Sequence, residues 1–320
     1  MGEQPTITQA FSSGPEGISG ASQLLRAGEI VAFPTETVYG LGGDATNGEA
    51  VAKIFDVKGR PSFNPLIVHV ASVDKAEALI ELPPKGRTLA QMLWPGPLTL
   101  VGRLRPGKGL ADLVRAGLPT LAVRVPDHPV AQALLRAVGR PLAAPSANPS
   151  GKVSPTTAQH VHDLMSGRIA GVLDGGAAAV GLESTIIGFE NLEPVLLRPG
   201  GVTVEEIAKL VDTAPNPPSS AVVNAPGQLQ SHYAPVAEVE MNATEDPVLG
   251  FGAIEGQVSL SPDGDLTEAA ANLFGMLRLM DEALKDGDVL TVAPIPEEGL
   301  GRAINDRLRR AAAPRQTSTK

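Results

Sequence analysis

A chain of 320 residues is long for one compact domain, so two domains are the natural expectation. The formal net charge of −9 argues against a protein that coats nucleic acid non-specifically, although a local basic cavity is compatible with it. There is no cysteine, which excludes disulfides, thiolate zinc sites and cysteine nucleophiles and fits a reducing compartment. Aromatic residues make up only 3%, so the core is expected to consist mainly of Leu, Val, Ile and Ala. The start of the chain has no basic-then-apolar pattern, and no apolar run is long enough to cross a bilayer. A cytoplasmic protein with no membrane attachment is expected. Met1-Gly2-Glu3-Gln4-Pro5-Thr6 fits the loose myristoylation pattern, but so short a pattern is cheap to match and an ordinary disordered start is the better reading.

Residues up to about Gly17 read as a floppy leader. Ala21 to Ala27 reads as a short helix and Glu29 to Phe33 as a buried strand. Ala50 to Phe55 and Val130 to Val138 read as helices, and Ser72 as the cap of another beginning near Val73. Leu66 to Val70, Leu98 to Arg103 and Leu121 to Val125 read as strands. Pro141 to Ala144 is a strand that ends at a Ser146-Ala147-Asn148 turn. Ser154 and Pro155 look like a cap and a first-turn proline, which predicts a helix there. Gly171 to Leu173, Ser184 to Phe189 and Val195 to Leu197 finish the strands, and Thr203 with Glu206 predicts a capping box. Helices interleave with strands, yet several strands follow each other directly. The expected fold class is therefore α/β, mixed and α+β-like in detail, with helices on the faces of a mixed sheet.

Pro215, Pro217, Pro218, Ser219, Ser220, Pro226 and Gly227 mark 213–235 as a linker. It separates a body spanning 18–212 from a smaller one spanning 236–320. In the smaller body, Ala237 to Met241, Val248 to Phe251 and Val289 to Ala293 read as strands. Asp265 with Glu268 caps a long helix whose apolar stripe is Leu266, Ala270, Leu273, Leu277, Met280 and Leu284. Gly301 to Ala312 reads as a last helix. The pattern is that of a small α/β domain of Rossmann-like character.

The chemistry concentrates between Phe33 and His69. A strand delivers Thr35-Glu36-Thr37 into a glycine loop, and Lys58-Gly59-Arg60-Pro61-Ser62-Phe63-Asn64-Pro65 then brings two cations and an amide on a segment shaped by Gly and Pro. Cations near hydroxyls and backbone donors suit a polyanion such as a nucleoside triphosphate. The Gly-x-x-x-x-Gly-Lys-Ser/Thr phosphate loop is missing, as is His-Glu-x-x-His. Ser146-Ala147-Asn148 reads equally as an Asx-type turn and as a ligand turn at a strand end. Arg124 ends an apolar strand, where a cation either pairs structurally or holds a ligand carboxylate. Glu36 either orders the loop or touches a metal. Trp94-Pro95-Gly96-Pro97 reads as a turn.

These motifs resemble the YrdC-like domain of threonylcarbamoyl-AMP synthases, in their long two-domain form. Lys58 and Arg60 with Ser146 and Asn148 look like that family's signature pair. The likeness continues in order through Trp94 to Thr99, Ala143 to Asn148, Glu183-Ser184-Thr185, Leu197 to Gly200, His232-Tyr233-Ala234-Pro235 and Leu300 to Arg310. The resemblance implies a twisted mixed sheet with a deep concave site. It also implies synthesis of threonylcarbamoyl-AMP and pyrophosphate from L-threonine, bicarbonate or carbon dioxide, and ATP. Lys58, Arg60, Ser146 and Asn148 would be the catalytic set. Thr37, His69, Arg124, Ala144 and Ser184 would surround L-threonine. Arg60, Asn64, Thr120, Ser146, Ser154, Arg198 and Tyr233 would hold ATP, with Mg2+ carried by the triphosphate and no metal bound by the protein itself. The product would pass to a separate transferase that modifies tRNA beside the anticodon, and direct tRNA contact would be possible but not required. Apart from the resemblance, the proline-rich segment ending in His232-Tyr233-Ala234-Pro235 reads either as an anchor for the smaller body or as a lid, Pro226 to Pro235 folding across the site with Tyr233 reaching the nucleotide.

Two other readings compete. An RNA-binding, translation-associated module would have to work without an aromatic stacking platform and with an acidic net charge. A carbamoyl-transfer enzyme using the same domain would be expected to carry a cysteine-based zinc finger, which the composition excludes.

Overall fold

The computed structural model describes residues 6–219, 233–284 and 287–314. The chain enters through β1 (Gln9–Phe11) and α1 (Pro15–Arg26), with Pro15 in the first helical turn. Next come β2 (Val31–Phe33), β3 (Gly40–Asp44) and α2 (Gly48–Lys58). The Asn47 side chain caps α2, and Gly59 ends it at φ 60°. Then follow β4 (Ile67–His69), α3 (Val73–Glu77), β5 (Ile80–Glu81) and α4 (Pro84–Leu93). β6 (Leu98–Leu104), β7 (Thr120–Arg124), α5 (Pro129–Val138) and β8 (Leu142–Ala143) lead to α6 (Ala158–Met165). β9 (Gly171–Leu173), β10 (Thr185–Glu190), β11 (Glu193–Arg198) and α7 (Val204–Val211) complete the larger part. The smaller part holds β12 (Glu238–Met241), β13 (Leu249–Gly250), β14 (Val258–Ser259), α8 (Leu266–Ala283), β15 (Val289–Val292) and α9 (Gly301–Ala312).

The first eleven strands form one sheet in the order β1-β9-β2-β3-β8-β4-β7-β6-β10-β11, with β5 beside β6. It is mixed: β4 runs parallel to β7, while β8 is antiparallel to both β3 and β4. The smaller sheet, β12-β15-β13-β14, is parallel. A mixed sheet with helices, joined to a smaller α/β unit, is the fold class expected from the strand pattern.

Two local expectations need correction. From Gln9 onward, the residues read as a leader belong to the first strand and the first helix. β1 pairs with β9 from Gln9 onward, and α1 starts at Pro15, six residues before the helix expected at Ala21. Ser154 caps no helix. The carbonyls of Pro155 and Thr156 accept the amides of Tyr39 and Ala178, both at 2.9 Å, which ties this stretch to its neighbours. The helix waits until Ala158, where Thr157 accepts the His160 amide. The capping box at Thr203 and Glu206 forms as expected.

The main core packs Ile54, Leu66, Val68, Leu100 and Val123 around the sheet, with few aromatic rings. In the smaller part, Ala270, Leu273, Leu277 and Met280 bury one stripe of α8, while Leu266 and Leu284 pack partly buried at its ends. That core takes in Val38, Val153 and Leu182 from the larger part and Tyr233 from the linker, so the two parts share apolar surface. Gly181 marks a close backbone approach. A Cβ there would lie 2.5 Å from the Ala271 Cα on α8.

Candidate active site

The ends of β2, β4, β7 and β8 converge on a cavity of about 50 Å³. The pairing register sets His69 of β4 beside Arg124 of β7, and the Ala144 amide donates to the Ile67 carbonyl at 2.9 Å. From β2 the chain turns through Thr35. Its hydroxyl donates to the Val38 carbonyl at 2.6 Å and lies 2.8 Å from the Thr37 hydroxyl. Both threonines are buried.

Arg124 is 4% exposed and shared among three partners. Its Nη1 donates to Thr37 Oγ1 at 2.7 Å, its Nε donates to the Gly96 carbonyl at 3.4 Å, and its Nη2 lies 2.6 Å from Glu36 Oε1. Nη2 and both Glu36 oxygens are buried without an aligned hydrogen bond among the described residues. A carboxylate ligand could take one of those bonding directions. Glu36 pairs with the arginine across the site. The turn at Trp94 is structural: its Nε1 donates to the Leu98 carbonyl at 2.7 Å. His69 is buried, and its Nδ1 has no hydrogen-bond partner among the described residues. Burial, with Arg124 alongside, pushes its pKa down to about 3, so the imidazole is neutral near pH 7.

On the other side, Lys58 leaves the end of α2 and turns inward. Its ammonium donates to the carbonyls of Ser146, at 2.6 Å, and Asn148. It clamps the Ser-Ala-Asn turn, and burial lowers its pKa well below the usual lysine value. The same turn is pinned to β3 by the Leu41 amide on the Pro145 carbonyl, 2.7 Å. Asn148 donates from Nδ2 to the carbonyls of Pro149 and Lys152 at 2.9 and 2.8 Å, and its buried Oδ1 has no hydrogen-bond partner among the described residues. Arg60 reaches the cavity while donating to the Asn64 and Pro65 carbonyls at 3.1 and 2.7 Å. Burial, with Arg198 adding repulsion, lowers it to about 9, which leaves it cationic at neutral pH. The Asn64 Oδ1 is also buried without a hydrogen-bond partner among the described residues.

Arg198 ends β11 and donates twice to the Ser184 carbonyl, at 3.2 and 2.9 Å. Ser184 Oγ lies 2.7 Å from Thr99 Oγ1. Gly200 lets this return loop press on the strand, since a Cβ there would sit 2.3 Å from the Glu183 carbonyl oxygen. Ser154 donates to Glu183 Oε1 at 2.6 Å, and Arg307 of α9 donates to Oε2 at 2.9 Å. Burial alone would raise the Glu183 carboxyl, but Arg307, Arg198 and the Ser154 hydroxyl hold it down to about 2. Tyr233 lines the cavity, stacked on Phe274 at 5.4 Å.

Residues 23–200 match a family model, Sua5/YciO/YrdC, described as telomere recombination, and residues 202–313 match the threonylcarbamoyl-AMP synthase C-terminal domain. The threonylcarbamoyl-AMP synthase of Bacillus subtilis (strain 168) is 41% identical over 97% of this chain and 96% of its own. The chain belongs to the threonylcarbamoyl-AMP synthase family. The crystal structure of Pyrococcus abyssi Sua5 complexed with L-threonine superposes with a TM-score of 0.85 at 38% identity, over 96% of this chain and 98% of that one. A shorter relative, the putative threonylcarbamoyl-AMP synthase of Mycobacterium tuberculosis (strain CDC 1551 / Oshkosh), is 40% identical over 61% of this chain and 89% of its own.

The cavity lining includes Thr37, Arg60, His69, Arg124, Ala144 and Ser146. It also includes Ser184, Arg198 and Tyr233, so nine residues singled out in the sequence line one space. Lys58, Asn148 and Ser154 stand behind it, bonded to its walls. Thr120 does not reach it. It lies at the opposite end of β7 from Arg124, half-buried and paired with Arg103. His232, and the lid expected from Pro226 onward up to that residue, lie outside the described residues. The sequence reading missed Thr35, Thr99, Glu183 and Arg307 as members of the site. Glu183 adjoins Ser184-Thr185 and could have been noticed, whereas nothing local connects Arg307 to a residue 124 positions earlier. A wider depression of about 800 Å³ lies on the smaller domain, beside Glu238, Asp281 and Asp288. Its acidic rim is wrong for a triphosphate, so chemistry rather than volume marks the site.

Proposed function

We propose that this chain joins L-threonine, bicarbonate or carbon dioxide, and ATP into threonylcarbamoyl-AMP with release of pyrophosphate. The threonylcarbamoyl group would then supply a separate transferase acting on tRNA adenosine beside the anticodon. One observation carries the reading. A buried arginine paired with Glu36 lines one small cavity together with two further cations, Arg60 and Arg198. The balanced arginine suits a single amino-acid carboxylate. The two further cations, with the hydroxyls and backbone around them, suit a triphosphate. The threonine-bound relative supports the first half.

In this reading Arg124, held by Glu36 and Thr37, takes the threonine carboxylate, with Ala144 and Ser184 around it. His69 is too weak a base to remove the amine proton, because its pKa lies near 3. It hydrogen-bonds the amino acid instead. The amine attacks the carbon of carbon dioxide and loses a proton, giving a carbamate. A carbamate oxygen attacks the α-phosphorus, and the bond to the β-phosphate oxygen breaks with pyrophosphate leaving. Arg60, Arg198, Asn64, Ser146 and Ser154 hold the nucleotide, while Lys58 keeps the Ser146–Asn148 turn in place. Tyr233 closes over it. Thr120 belongs to this set only if the adenosine end of ATP extends along β7. Magnesium would travel with the triphosphate: among the described residues no group of three or more His, Asp or Glu is placed to hold a metal. No helix among the described residues is long and apolar enough to cross a membrane.

The test is pyrophosphate release from ATP and bicarbonate with and without L-threonine. Release that depends on L-threonine is expected. Release that is equal without it, or none from folded protein, would contradict the reading.

A further inference from the structure

We propose that Arg307, contributed by the smaller domain, is a positioning residue for the polyanion side of the cavity: it holds Glu183, and Glu183 in turn fixes the Ser154 hydroxyl. This rests on the reading of Ser154 and Arg198 as the nucleotide side. Arg307 has no solvent exposure, although it lies on the last helix of the other domain. Its Nε donates to Glu183 Oε2 at 2.9 Å, and its Nη1 donates to the Pro199 carbonyl at 2.6 Å. Pro199 directly follows Arg198. One planar guanidinium thus sets the spacing between the Ser154–Glu183 pair and the loop that carries Arg198. An ammonium group cannot reproduce that fork.

The surroundings leave the side chain little freedom. Its Cζ sits 5.5 Å from the centroid of the Tyr233 ring, whose stacking partner Phe274 comes from α8. Asp306 Oδ2 lies 3.0 Å from Nη1. Without Arg307, Glu183 would be a buried carboxylate short of its main cation, next to Arg198. It would then turn toward Arg198 and weaken the field offered to phosphates. The smaller domain is in this sense part of the catalytic architecture, although it reaches the substrate only through other residues.

Calorimetric titration with MgATP, and separately with L-threonine, tests the inference on the full chain. The proteins compared are wild type, Arg307→Met, Arg307→Lys, Ser154→Ala and the Arg307→Met/Ser154→Ala double variant. Arg307→Met and Ser154→Ala should each weaken MgATP about tenfold, with L-threonine affinity within about twofold of wild type. The double variant should be no more than about threefold worse than the weaker single, because both changes break one chain of contacts. Arg307→Lys keeps the charge but loses the fork. It should show the same split between ligands, and it gives the reading if Arg307→Met does not fold. Equal weakening of both ligands, or losses that multiply in the double variant, would overturn the inference. Wild-type protein that binds neither ligand would overturn the functional reading and this inference with it.

Discussion

Arg124 has the most to lose on substitution. Arg124→Ala removes the carboxylate's partner and strands Glu36 as a buried charge. A charge-assisted hydrogen bond contributes about 1.5–3 kcal/mol, so the KM for L-threonine should rise about 10- to 100-fold while that for ATP moves far less. Steady-state kinetics with each substrate varied in turn checks this; a larger rise for ATP would misplace the two ligands. Two other buried groups set the response to acid. The His69 imidazole is depressed from 6.5 to about 3, so the unfolded chain binds its proton first and stability falls as pH drops through that window. The Glu183 carboxyl is depressed from 4.5 to about 2, so its contribution is present above 4.5 and lost toward 2. Both act in the same direction. Denaturant melts between pH 7 and 4 should show His69→Asn flattening the upper part of the decline, and an unchanged slope would contradict the buried, neutral imidazole.

At the level of elements, the stretch from Ser154 to Thr157 separates a structural cap from a ligand-side hydroxyl. Thr157→Ala should cost about 1 kcal/mol of stability through the lost cap of α6 and leave ligand affinities unchanged. Ser154→Ala should do the reverse, with MgATP affinity falling more than the melting temperature. Paired thermal melts and titrations decide this, and a Thr157 variant with impaired MgATP binding would show that the two roles are not separate. The same stretch shows where sequence reading stops. Ser-Pro is a strong local helix-start signal, but the carbonyls of Pro155 and Thr156 are taken by Tyr39 and Ala178, partners that no local pattern reveals. β1 was hidden for the same reason, since three residues become a strand only because β9 lies alongside. Elements with their own periodicity or caps, such as α8 and the Thr203–Glu206 box, were legible because their determinants are local. In the site, dense motifs identified the loop residues. Glu183 and Arg307 escaped because a single buried contact between distant segments leaves no spacing to read.

On the scale of the whole molecule, the two domains should not melt independently. The smaller domain's core includes Val38, Val153, Leu182 and Tyr233, and Arg307 pairs with Glu183 across the boundary. Scanning calorimetry should therefore record one cooperative transition, and two well-separated transitions would contradict a shared core. The reaction itself is read by mass spectrometry of the product. The protein is incubated with ATP, L-threonine and carbon-13 bicarbonate, and the reaction is quenched without acid. A single species containing threonine, AMP and the labelled carbon, formed in step with pyrophosphate, is expected. Pyrophosphate released beside unlabelled threonyl-AMP, or free AMP with no labelled adduct even at the earliest times, would contradict it.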